Sequence, residues 1–233
     1  MRKPKLVIST GAGVSAESGI STFRDAGGLW DNYPVMQVAS HDGYVANPAL
    51  IHRFYNERRH QLLEAAPNAA HLALAALEKD FDVYVITQNV DDLHERAGSS
   101  KVLHLHGELM KVEATDNPDL VFNLPDDNGG DIDTDVDTVI KGHHVRPHIV
   151  FFQEAVPNFD PAVNLVADAD VFVIIGTSLV VYPAAALIQY VRRGVPIFYI
   201  DPHPAAVPEG VEVIRAGASE GVQILKQRLA TLR

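Results

Sequence analysis

Lys5-Leu6-Val7-Ile8-Ser9-Thr10-Gly11-Ala12-Gly13-Val14-Ser15-Ala16 is the stretch on which the fold turns. Lys5 to Thr10 reads as a buried parallel strand, short and rich in β-branched residues. Gly11 and Gly13 follow at once, and a short helical segment follows them. Their spacing, with Ala16, fits the G-x-G-x-x-G/A turn between a strand and a helix. The first glycine permits a tight turn, and the second lets backbone approach a pyrophosphate. The helix start then offers unpaired N–H groups and a positive dipole end. A tight βα turn with no ligand is the other reading of these residues. The acidic ribose-binding residue of a dehydrogenase, about twenty positions on, is not evident, although Asp25 and Asp31 are nearby.

Outward from this turn, Asp82 to Thr87, Val102 to Leu105, Val171 to Ile175 and Pro196 to Ile200 read as further short strands. Pro48 to Glu64, Ala69 to Lys79, Pro183 to Arg193 and Ala218 to Leu232 read as helices. Strands alternating with helices predict an α/β fold, a parallel sheet with helices on both faces. Glu113 to Asp137 breaks the pattern. It carries acidic residues, prolines and Gly129-Gly130 but no Lys or Arg, and reads as an exposed loop or small irregular insertion.

The chain of 233 residues has 19 basic and 30 acidic side chains, a formal charge of −11. That balance argues against nucleic acid as the main partner and is compatible with a cationic peptide. There are no cysteines, which excludes disulfides, thiolate zinc sites and cysteine nucleophiles. Basic Met1 to Lys5 runs straight into a strand, and no apolar run is long enough to span a bilayer. No signal peptide and no membrane partner are expected, and the cytoplasm is the default compartment.

Several long blocks stand in order: Gly11-Ala12-Gly13-Val14-Ser15-Ala16-Glu17-Ser18-Gly19-Ile20-Ser21-Thr22-Phe23-Arg24-Asp25-Ala26-Gly27-Gly28-Leu29-Trp30, Gln88-Asn89-Val90-Asp91-Asp92-Leu93-His94, Leu105-His106-Gly107, Arg146-Pro147-His148-Ile149-Val150, and Gly176-Thr177-Ser178-Leu179 with Val181 and Pro183-Ala184. Together they resemble the motifs of the sirtuin (Sir2) family. The resemblance implies a Rossmann-like NAD-binding domain from 1–40, 72–107 and 146–233. It implies a small lobe made by two insertions, 41–71 and 108–145. It also implies NAD-dependent removal of acyl groups from lysines of peptides or proteins, giving nicotinamide and O-acyl-ADP-ribose.

Carried over residue by residue, His106 matches the family's base, and an imidazole titrates in the right range for that task. His104 lies two residues earlier; on a continuous strand the two rings would share a face, so spacing alone does not choose between them. Asn89 and Asp91 match the nicotinamide-ribose pocket. Gly11, Ala12, Gly13, Ser15, Ile20, Phe23, Arg24, Gln88, Gly176, Thr177, Ser178 and Asp201 match cofactor-binding positions. Val150 to Glu154, with Phe152, matches the segment that pairs with substrate backbone by strand addition. Tyr55 and Arg58, at i and i+3 of a helix, resemble the pair that meets the acyl carboxylate in the branch that removes succinyl and malonyl groups. Acetyl-lysine remains a substrate class, because bacterial members with this pair also deacetylate.

The chain departs from the family at Ser21, usually proline, at Asp201, often asparagine, and at Gln153, where the family has glycine. It also lacks the cysteines that hold a structural zinc in most members. Lys111 to Val145 is therefore expected to be a metal-free lobe packed on Val112, Leu120, Val121, Phe122, Val136, Val139 and Ile140. Two other readings stay open: an NAD hydrolase or ADP-ribosyltransferase, and a non-catalytic nucleotide-binding sensor.

Overall fold

The computed structural model describes residues 2–20, 29–30 and 33–231. In chain order the first strands are β1 (Lys5–Thr10), β2 (Leu29–Trp30), β3 (Tyr33–Pro34), β4 (Asp82–Thr87), β5 (Val102–His104) and β6 (Gly107–Ala114). They are followed by β7 (Val121–Asn123), β8 (Val139–Ile140), β9 (His143–Ile149), β10 (Val171–Ile175), β11 (Ile197–Ile200) and β12 (Val211–Ile214). The helices are α1 (Val35–Val38), α2 (His41–Ala46), α3 (Pro48–Glu64), α4 (Ala69–Ala76), α5 (Leu93–Arg96), α6 (Phe159–Ala167) and α7 (Ala218–Ala230). Among the described residues, no helix is long and apolar enough to cross a membrane.

Six strands form one parallel sheet in the order β12-β11-β10-β1-β4-β5. The chain winds one way from β1 through β4 to β5, then returns to the other side of β1 for β10, β11 and β12. The reversal falls between β1 and β10, whose last residues, Thr10 and Ile175, lie in register. A crevice outside the strand ends at such a reversal is where ligands bind in open α/β sheets. Every residue of β1 and β10 is buried, as strands covered on both faces require.

Alternate side chains divide the core between the two faces. Leu6, Ile8, Val173 and Ile175 pack with Leu74 of α4 and with Val222 and Leu225 of α7. Val7, Phe172 and Ile174 pack with Ala162 and Val166 of α6. The expected α/β sheet with helices on both faces is therefore present. Within Pro183 to Arg193 the chain forms 3-10 turns over Ala184–Tyr190 rather than an α-helix, and Ala69 to Lys79 is α-helical to Ala76 and ends in a 3-10 turn.

Glu113 to Asp137 is largely irregular, as its composition suggests: it holds the end of β6, the short β7 and one 3-10 turn, Asp126–Asn128, and the strands around it make the lobe's sheet. β7, β6, β9 and β8 form an antiparallel sheet, in that order. Its buried cluster is Val112, Ala114, Phe122, Leu124, Ile140 and Val145. Leu120, Val121, Val136 and Val139, expected inside, are exposed. For Val121 and Val139 strand alternation is the reason: Phe122 and Ile140 point inward, so these two must point out, whereas Leu120 and Val136 lie outside the strands.

Helix α3 fastens this lobe to the rest. Arg59 is fully buried, and its guanidinium donates to Leu109 O at 2.9 Å, Asn56 Oδ1 at 2.6 Å and Ile132 O at 3.3 Å. Asn56 also donates to Thr134 O at 2.9 Å, and His52 Nδ1 meets Thr134 Oγ1 at 2.9 Å. A buried guanidinium whose N–H groups reach backbone carbonyls ties two chain segments with little side-chain freedom left.

Candidate active site

The turn after β1 and the turn after β10 are locked together. Gly11 N–H donates to Ile175 O at 3.0 Å, and Gly13 N–H donates to Gly176 O at 2.9 Å. A Cβ on Gly13 would lie 2.7 Å from Gly176 Cα, closer than real contacts allow. Gly176 itself has φ 62°, which suits glycine. The pair therefore presents bare backbone to the crevice. The helical segment beyond is two short 3-10 turns, Ala12–Val14 and Ala16–Ser18, so no long helix dipole points at the crevice, and the N–H groups of Gly11, Gly13, Val14 and Ser15 are taken by main-chain carbonyls.

Ser15 is the hub of a buried polar network. Its hydroxyl donates to Asp91 Oδ2 at 3.0 Å and accepts from Asn89 Nδ2 at 3.0 Å. Asp91 Oδ1 takes the Leu93 N–H at 3.1 Å. Burial raises the Asp91 pKa, and the bonds from Leu93 and Ser15 oppose that shift. His71, which the sequence reading did not select, closes the network. Its Nδ1 accepts the Asn68 N–H at 3.2 Å, so its proton sits on Nε2, 3.5 Å from Ser15 Oγ. The only local trace in the sequence is Asn68-x-x-His71, a helix cap. Asn68 caps α4 and His71 bonds back to it.

His106 and His104 part ways because β5 ends at His104. His106 donates Nδ1–H to Gln88 O at 3.0 Å, which leaves Nε2 as the proton acceptor. Burial lowers its pKa, only partly offset by that carbonyl. His104 instead places Nε2 at 2.9 Å from Glu95 Oε1 and Nδ1 at 3.0 Å from Asn89 O. Burial works against its charge, but Glu95 and Glu108 prevail and raise its pKa. His106 lines the large cleft and His104 a separate, smaller one.

Tyr55 and Arg58 rise into the same large cleft from α3. Tyr55 is fully buried, and its ring lies 5.9 Å from Phe151. Arg58 stacks on Phe54, 4.8 Å from the ring centre, and is nearly buried. Val150 donates its N–H to His106 O at 3.0 Å, which sets the Val150 to Glu154 segment beside the imidazole. Glu154 receives both terminal nitrogens of Arg146, at 2.7 and 3.0 Å.

At the far end, Gln88 Nε2 donates to Thr177 Oγ1 at 3.3 Å. Asp201 is 2% exposed, and its Oδ1 accepts the His203 N–H at 2.8 Å. One cleft of about 590 Å³ is lined by Gly11, Ala12, Gly13, Ser15, Ile20, Tyr55, Arg58, Gln88, Asn89, Asp91, His106, Val150, Phe152, Gly176, Thr177, Ser178 and Asp201. Phe23 and Arg24 lie outside the described residues.

The lobe offers poor donors for a thiolate-type zinc site. His143 is engaged by Asp116 at 2.9 Å, and no cysteine exists. Among the described residues, the one group of donor atoms close enough to share an ion is Glu95, His104 and Glu108. It joins α5, β5 and β6, and Lys111 already occupies Glu108.

A doubly wound sheet with a glycine-lined crevice at its switch point defines a nucleotide-binding class of α/β protein. Within it, the chain belongs to the Sir2 family, whose model matches residues 11–183. A Bacteroides thetaiotaomicron protein named NAD-dependent protein deacylase is 56% identical over 227 residues, covering 96% of this chain and 97% of that protein. Among solved structures, a Sir2 homologue–NAD complex superposes with TM-score 0.85 at 37% identity, covering 99% of this chain and 91% of the other. A Sir2 complex with deacetylated p53 peptide and 3′-O-acetyl ADP-ribose gives TM-score 0.82 at 31% identity, covering 97% and 94%.

Proposed function

We propose that this chain is an NAD-dependent protein-lysine deacylase with a preference for acidic acyl chains, succinyl and malonyl, alongside acetyl. The observation that carries this reading is the convergence of His106, Asn89 and Asp91 in one cleft with the Gly13–Gly176 backbone cradle. That cradle, closed to any Cβ, suits a pyrophosphate, and the Ser15-Asn89-Asp91 cluster suits a ribose and a carboxamide. NAD, when bound, supplies a ribose carbon that carries nicotinamide as a leaving group.

The chain's own residues do the rest. His106 Nε2 accepts a ribose hydroxyl proton, while its Nδ1–H on Gln88 O fixes ring and tautomer. Ser15 holds Asn89 and Asp91 in a single orientation. Phe151, Ile149 and Leu109 line the acyl end with apolar surface and exclude water. Arg58 offers a fixed positive fork and Tyr55 a hydroxyl for a carboxylate at the acyl terminus.

The test is nicotinamide release with and without acylated peptide. Release is expected to depend on acetyl-, malonyl- or succinyl-lysine peptide. Equally fast release without peptide would favour NAD hydrolysis. Binding without any release would leave a sensor.

The lobe is proposed to stand without zinc, held by its apolar cluster and by Arg59. Incubation with a chelator should leave the melting temperature unchanged, and elemental analysis should find no stoichiometric zinc. A chelator-induced drop of several degrees would overturn this.

A further inference from the structure

We infer that Asp42 and Gln153 form a latch that presets the substrate-pairing backbone, an inference that rests on reading Val150 to Glu154 as the strand-addition segment. Gln153 has φ 78°, the left-handed region in which a side chain is strained. Both polar atoms of its terminal amide are held by Asp42. Oε1 accepts the Asp42 N–H at 3.1 Å, and Nε2 donates to Asp42 Oδ2 at 2.8 Å. The residue before it is clamped by the same strip of chain: Phe152 N–H donates to Ala39 O at 2.8 Å, and His41 N–H donates to Phe152 O at 3.0 Å.

The backbone of Gln153 itself makes no hydrogen bond among the described residues. Its N–H and C=O are the groups an incoming strand needs. A non-glycine residue stays at positive φ only where its surroundings over-determine it. The turn closed by Glu154 N–H on Phe151 O at 3.0 Å holds the backbone there, and the Asp42 fork holds the longer side chain against α2. Asp42 thus acts as a positioning residue for peptide binding and takes no part in the chemistry.

This gives an ordering that simple loss of a surface contact does not. Asp42→Ala removes the carboxylate that holds Nε2 but keeps the main-chain N–H on Oε1, so Gln153 stays strained and is only half latched. Gln153→Gly removes latch and strain together, because glycine tolerates positive φ. Asp42→Asn keeps an oxygen acceptor for Nε2.

The experiment measures anisotropy of a fluorescein-labelled acetyl-lysine peptide on the full chain, with steady-state kinetics beside it. Asp42→Ala should weaken peptide binding about tenfold, with kcat within about twofold. Gln153→Gly should weaken it less, and adding Asp42→Ala to Gln153→Gly should change nothing further. Asp42→Asn should bind like the unaltered chain. Melting temperatures of all variants report that each folds. Unchanged binding in Asp42→Ala, or an undiminished loss in the Gln153→Gly background, would overturn the latch. Should the unaltered chain bind no acylated peptide, the reading of the segment itself fails, and the latch with it.

Discussion

His106→Ala should lower kcat about 10²- to 10⁴-fold while NAD affinity stays within about twofold. The imidazole meets the protein through one bond, from Nδ1–H to Gln88 O, and lines the cleft with its other nitrogen. Removing the ring removes the proton acceptor but none of the Gly13–Gly176 cradle or the Ser15 network. Turnover can be followed by nicotinamide release and binding by calorimetry. The pH profile adds an independent check. Burial lowers the His106 pKa from its ordinary value of 6.5. The base works only when neutral, so activity should fall with acid, and the falling limb should lie below that value. A limb above it, or unchanged turnover in His106→Ala, would remove His106 from the role.

Arg58→Met should cut kcat/KM for succinyl-lysine peptide about 30- to 100-fold and for acetyl-lysine peptide less than about threefold. The first figure follows from losing charge-assisted hydrogen bonds worth about 2–3 kcal/mol in a nearly buried site. The second follows because an acetyl group has no carboxylate to lose. Methionine keeps most of the apolar volume against Phe54, so the α3 packing survives. Equal losses on both peptides would show that Arg58 shapes the cleft without reading the acyl terminus.

Much of this molecule is legible in its sequence because the signals are local. Lys5 to Thr10 declares a buried strand, and Gly11 and Gly13 declare a turn that only glycine allows. The sheet order is harder, since strand neighbours are chosen by pairing across long separations; nothing in Val171 to Ile175 says that its partners are β1 and β11. His71 escaped notice for the same reason. It reaches Ser15 from 56 positions away, and only the capping pattern with Asn68 marks it. In the small lobe the apolar residues were identified, but the strand phases were not. A shift of one residue exchanges Val121 for Phe122 and Val139 for Ile140. Asp201 keeps a carboxylate in the cleft wall where asparagine is common in the family, and its Oδ1 accepts the His203 N–H.

The lobe's construction has a physiological corollary. A sheet closed by Val112, Ala114, Phe122, Leu124, Ile140 and Val145 contains no cysteine thiolate for peroxide to attack. Oxidative stress, which strips metal from thiolate centres, finds no such target here. The vulnerability moves to temperature instead, because apolar cohesion weakens on cooling. In the cold, the lobe should loosen before the parallel sheet, because its apolar cluster is smaller than either of those that cover the sheet's faces.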